Sequence, residues 1–80
     1  MPTVLRRDGF VVRIYTDDHA PAHAHVIQAE HEVIINLGDA DTKPWVRDNR
    51  GMRRQAMREA LKIVAEQQDD LLQAWRRIHG

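Results

Sequence analysis

The sequence predicts an α+β fold: a four-stranded antiparallel sheet made of two hairpins, with C-terminal helices packed on one of its faces. Three observations lead there. Up to Leu37 the chain alternates short β-prone runs with turn signals. From Gly51 onward the apolar residues recur at threes and fours, the period of an amphipathic helix. Eighty residues with no linker, repeat or low-complexity tract make one domain, residues 1–80, near the size where a single core is only just sufficient.

The first hairpin joins Thr3–Arg7 to Phe10–Thr16 through Asp8-Gly9, two residues that tolerate positive φ in a tight turn. In its second strand Phe10, Val12 and Ile14 share the better core face, and Val11, Arg13 and Tyr15 share the other. Asp17–Ala22 is loop, because Pro21 cannot donate to a ladder and turns Ala20 away from helical geometry. Ala24–Gln28 and Glu32–Leu37 then form the second hairpin, turning at Glu30-His31. With Ala29 opposite Glu32, Val26 meets Ile35 and Ala24 meets Leu37, an apolar face completed by Val33. His23, His25, Ile27, Ile34 and Asn36 fall on the opposite, less covered face.

Gly38–Asp48 has turn chemistry throughout, and Asn49 is placed to cap the helical half. There Met57, Ala60, Leu61, Val64, Leu71, Trp75 and Ile78 form the apolar stripe. A straight helix of about thirty residues would run ~45 Å, against ~17–24 Å for strands of this length. The helix therefore breaks near Gln67-Gln68, where Asp69 and Asp70 suit a new first turn, or its overhang is a homodimer contact.

Composition narrows the function classes. There is no cysteine, so neither a disulfide framework nor a thiolate metal site adds stability. The N-terminus lacks an apolar signal segment and no run is long enough to span a bilayer, which points to a cytoplasmic protein with no membrane partner. Formal net charge is zero, unlike the strongly basic balance of a typical nucleic-acid binder. The halves differ, however. Residues 1–46 hold four Lys/Arg against seven Asp/Glu, and residues 47–80 hold eight against five. A basic helical half on an acidic sheet half means intramolecular complementarity or a partner surface.

The densest chemistry lies in Asp17–Ile27, which packs three of the five histidines with two acids and a proline. His23 and His25 on a strand point to one face, ~6–7 Å apart along it, so their nitrogens can converge on one divalent metal such as zinc. His19 would add a third nitrogen and Asp17 or Asp18 a carboxylate, with Asn36, His31 and Glu32 in the neighbourhood. Three ligands and one open position would be a catalytic arrangement. Without metal, His23 and His25 could act as general base and general acid, as RNA cleavage requires, with Arg13 and Tyr15 to hold the phosphate. The plain alternative is a set of hydrogen-bonded histidines beside ordinary turn residues.

A second surface is basic. Arg54, Arg58 and Lys62 follow at i, i+4 and i+8 and form one stripe beside the apolar face, with Arg50 near the helix start. Arginine outnumbers lysine in this chain, which favours fork-like contacts to carboxylates or phosphates. Such a row holds an acidic protein partner or tracks RNA, or is simply a solvated face. Trp75 lies on the apolar stripe. Trp45, beside Pro44, either plugs the open end of the sheet or faces a partner.

The MPTVLR opening, the strand ending in Tyr15, the block from His19 to Val26 and the closing LLQAWRRIHG together resemble the domain of unknown function 4160 family. The resemblance covers essentially the whole chain, although many members carry a further proline where this chain has Ala20 or Ala22. It implies a small protein of bacterial or phage type, one half of a two-gene, toxin–antitoxin-like module. Two roles follow. One is a ribonuclease-like toxin working through His23 and His25, with or without metal. The other is a non-enzymatic antitoxin, regulator or inhibitor that binds a small protein partner through the basic helix.

Overall fold

The computed structural model describes residues 3–80; Met1 and Pro2, the start of the MPTVLR opening, lie outside the described residues. Five strands form one antiparallel sheet in chain order: β1 Thr3–Arg7, β2 Phe10–Arg13, β3 His23–Gln28, β4 His31–Asn36 and β5 Trp45–Arg50. Two helices follow, α1 Arg54–Glu66 and α2 Gln68–His79. The class is the α+β arrangement the sequence predicts, but the sheet has five strands rather than four.

The first hairpin turns where expected. Arg7 pairs with Phe10, and Asp8 and Gly9 have φ of 52° and 83°, the left-handed pair that matches strand twist. β2 ends at Arg13, three residues short of the predicted Thr16. Asp18 is the reason. Its carboxylate accepts from the Tyr15 amide at 3.0 Å while its own amide donates to the Tyr15 carbonyl at 3.2 Å, so the chain bends instead of extending the ladder.

In the β3–β4 hairpin Gln28 pairs with His31 and Val26 with Val33, two residues away from the predicted register. The turn is Ala29-Glu30, with Ala29 at φ 54°, and it carries none of the Asn-Gly or Asp-Gly signals that fix a turn from sequence. Because the shift is even, each side chain keeps its predicted face. Ala24, Val26, Val33, Ile35 and Leu37 are all fully buried against the helices.

β5 is the missed strand. Its sequence, WVRDNR, has only Val46 packed against the core, and a register irregularity opposite Ile34/Ile35 breaks its alternation. An exposed edge strand needs no apolar pattern, so the turn-like composition misled. Asn49 is not a helix cap either. Its side chain accepts from the Met52 amide and donates to the Met52 carbonyl, both at 2.9 Å, and so fixes the bend between β5 and α1. α1 starts behind Arg53 with no side-chain cap.

The predicted helix break is present. Gln67 leaves helical geometry, and Asp69 and Asp70 occupy the first turn of α2. The break lets Ala60, Ile63 and Val64 of α1 and Leu71 and Ala74 of α2 join one core with Phe10, Val12 and Ile14. Gln68 ties the break to the β4–β5 connection, its amide lying 2.8–2.9 Å from the carbonyls of Leu37, Asp39 and Thr42. Gly38 makes this possible at φ +68°, since a Cβ there would stand 2.2 Å from the Thr42 carbonyl oxygen.

Removing the Gln68 amide strands a partly buried Leu37 carbonyl. Gln68→Leu is expected to cost about 1–2 kcal/mol in urea unfolding, whereas the exposed Gln73→Leu stays within about 0.5 kcal/mol of the parent. Equal effects at the two positions would contradict this account of the break.

Candidate functional site

The face of the sheet opposite the helical core carries the histidines, and it is not open. His23 is 5% exposed and His25 9%, so the less covered face expected from the sequence is covered at this point. The bend after β2 brings Asp18 over the two rings. Nitrogens of His23 and His25 and a carboxylate oxygen of Asp18 all lie within 4.8 Å of one another. Exposed Asp17 and His19, both expected as ligands, are outside this group, and Asp18 supplies the carboxylate.

Each ring has one nitrogen committed to structure. His23 Nδ1 sits 3.0 Å from the Pro21 carbonyl oxygen, which can only accept, so Nδ1 carries the hydrogen and Nε2 is left toward Asp18 at 3.4 Å. His25 Nδ1 lies 2.6 Å from Glu32 Oε2, and its Nε2 faces both Asp18 oxygens at 3.2 Å. A backbone carbonyl and a carboxylate behind two converging Nε2 atoms is the supporting arrangement of metal-binding histidines. The distances differ in kind. The His25–Glu32 contact is a short charge-assisted hydrogen bond, whereas 3.2–3.4 Å to Asp18 is long for one. It is close to the ~3.3 Å edge of a tetrahedron whose donors stand about 2.0–2.1 Å from a zinc ion.

Burial alone pushes the Asp18 carboxyl up. The Tyr15 amide, the hydrogen bond with His25 and the charges of His25 and His23 together outweigh it, and the group is held below the usual aspartate value.

Arg13 pairs across the sheet with His25, and the Tyr15 ring meets the His25 ring edge-on at 4.5 Å, so both residues predicted to assist the histidines lie beside them. Among the described residues three side-chain polar atoms are buried without a partner: Arg13 Nε, Asn36 Oδ1 and, farther along α2, His79 Nε2. Asn36 is directly opposite His23 across β3–β4. Trp75 reaches His23 with ring centroids 5.4 Å apart and stacks on His79 at 3.8 Å, while still packing against the core.

The basic surface lies elsewhere. Arg54, Arg58 and Lys62 are exposed on α1, beyond the core that separates the helix from the sheet. Arg50 instead pairs with Asp48 at 2.9 Å and stands 3.8 Å from Glu32. Trp45 is 45% exposed on β5 and does not plug the sheet. From the sequence alone Glu32 falls only in the neighbourhood of the site. The two-residue register shift is what carries it to His25.

Since the folded Asp18 carboxyl ionises at lower pH than its unfolded counterpart, its charged form stabilises the fold. That contribution is complete above the unfolded value of about 4 and is lost as pH falls through the lower folded value. In chelator-treated protein, the stability gap between parent and Asp18→Asn in urea should hold at neutral pH and close on acidification. A gap that does not change with pH would contradict the assignment.

No curated protein and no solved structure matches the chain. Residues 9–76 match the model of the family described as Domain of unknown function (DUF4160). The match takes in Asp18, both buried histidines, β2 to β5 and most of α2, and the chain belongs to this family.

Proposed function

We propose that this protein binds one divalent metal ion such as zinc through Asp18, His23 and His25, and that it is the hydrolytic, ribonuclease-like member of a toxin–antitoxin-like pair. One observation carries the metal reading: both Nδ1 atoms are committed to acceptors while both Nε2 atoms converge on one carboxylate at tetrahedral-edge distances. Asp18 and Glu32 also bring two carboxylates to the two rings, the anionic surroundings that suit a divalent cation. When bound, such an ion supplies Lewis-acid chemistry.

The chain's own residues would do the rest. Glu32 and the Pro21 carbonyl orient the rings. Tyr15 packs on His25, and Arg13 offers a cation next to it for an oxyanion. Asn36 Oδ1, buried without a partner opposite His23, is placed to accept from a water molecule or to donate a fourth oxygen.

Titration of chelator-treated protein with Co(II) should give one equivalent and the visible absorption of a tetrahedral site. His23→Ala and His25→Ala should each weaken binding by about 100-fold or more, and Asn36→Leu by about 10-fold. His19→Ala and Asp17→Asn should stay within about twofold of the parent. Saturable binding that survives loss of both buried histidines would sink the site.

The role is tested separately by inducing the protein alone in a bacterium. Growth arrest with RNA cleavage is expected for the parent and not for His23→Ala/His25→Ala at equal soluble level. Arrest by both removes the hydrolytic role from this centre.

A further inference from the structure

Away from the histidines, α1 and the Lys43-Pro44 segment enclose a groove of about 310 Å³. Pro44, Leu61 and Ala65 form its floor, and Lys43, Arg58 and Lys62 its rim. No carboxylate among the described residues lines it. Among the described residues none of the three cations is in an ion pair, although Arg58 and Lys62 continue a helical row that ends at Glu66. Glu66 is taken by Arg7 of β1 at 3.1 Å. Three neighbouring cations thus surround an aliphatic floor, and the other carboxylate of α1, Glu59, is exposed and lies outside the groove lining. The basic row from Arg54 to Lys62 extends about 12 Å along the helix.

We propose that this groove docks an acidic segment of a partner protein, which seats an aliphatic side chain on Pro44, Leu61 and Ala65 and sets its carboxylates against Lys43, Arg58 and Lys62. The charge pattern selects an anionic partner. The floor favours a peptide over a nucleic acid, because its described lining is aliphatic and holds no aromatic ring to stack on a base. The inference does not depend on the metal centre, which lies on the other side of the sheet.

The test uses a fluorescein-labelled peptide in which Glu and Asp alternate with Leu, followed by anisotropy against the full-length protein. Arg58→Glu/Lys62→Glu should weaken binding by about tenfold or more, with the fold verified by circular dichroism. Ala65→Trp keeps the charge but fills the groove, and should weaken binding about fivefold. Raising salt from about 50 to about 300 mM should also weaken it.

No binding of the peptide by the parent would overturn the proposal, as would charge-reversed protein that binds within twofold of it. Equal binding of a peptide with Gly in place of Leu would remove the groove from the interaction. A single-stranded RNA that binds more tightly than the peptide, and depends on Arg58 and Lys62, would make this a nucleic-acid surface instead.

Discussion

The β3–β4 hairpin is buried on both faces, one apolar and the other holding two histidines and an asparagine beside Ile34. On one, Val26, Val33 and Ile35 are fully removed from water, each contributing about 1.5–3 kcal/mol by transfer. On the other, His23, His25 and Asn36 are nearly as deep. Strand geometry alternates the two sets residue by residue, so a slip of one position would put both imidazoles into the apolar core and leave Ala24 and Val26 facing Asp18 in their place. Neither face could tolerate the exchange. The parity of this hairpin is therefore held from both sides, and the rest of the sheet and the helices assemble around it.

Polar groups placed this deep are costly unless each is partnered. That requirement explains the loop between β2 and β3. Asp18 ends β2 by capturing the Tyr15 amide and in the same position faces both rings, so one side chain closes the strand and covers the site. Pro21 contributes through its carbonyl, which accepts from His23 Nδ1 and also from Arg47 Nη2 at 3.1 Å. The loop is built from groups that hold the histidines, and the histidines hold the loop. An ion at the Nε2 side would strengthen the same network without changing its layout, because the two Nδ1 partners already set the ring orientation.

What was legible in the sequence follows from how local each signal is. Asp8-Gly9 fixed the first turn because two adjacent residues with positive φ are sufficient. The break at Gln67 was legible from helix length set against strand length, a global constraint that needs no pairing. Face assignments of β2 to β4 survived a wrong register because parity depends only on alternation. β5 was not legible. A solvent-facing edge strand of charged residues has no periodicity to detect, and its pairing is decided by the free edge of β4. Choosing Asp18 over Asp17, and bringing Glu32 to His25, required the bend after Arg13 and the actual register. Both are tertiary facts.

The charge asymmetry of the chain gains a different meaning from the fold. An acidic sheet half and a basic helical half suggest that the two neutralise each other, yet the ion pairs do not run that way. Arg7–Glu66 joins the halves with the signs reversed, and Arg50–Asp48 lies within the basic half. Among the described residues only Arg50–Glu32, at 3.8 Å, joins a Lys or Arg of the basic half to an acid of the sheet half. The acids of the sheet half that are buried enough to matter, Asp18 and Glu32, face the histidines on the side away from the helical core. Intramolecular complementarity thus explains little of the basic excess. The cations of α1 stay exposed along one row; of the two α1 carboxylates, Glu66 is engaged by Arg7 and Glu59 is exposed. Zero net charge here is a sum over separate groups: Asp18 and Glu32 are turned onto the histidines, whereas the other acids of the sheet half and the cations of α1 are exposed.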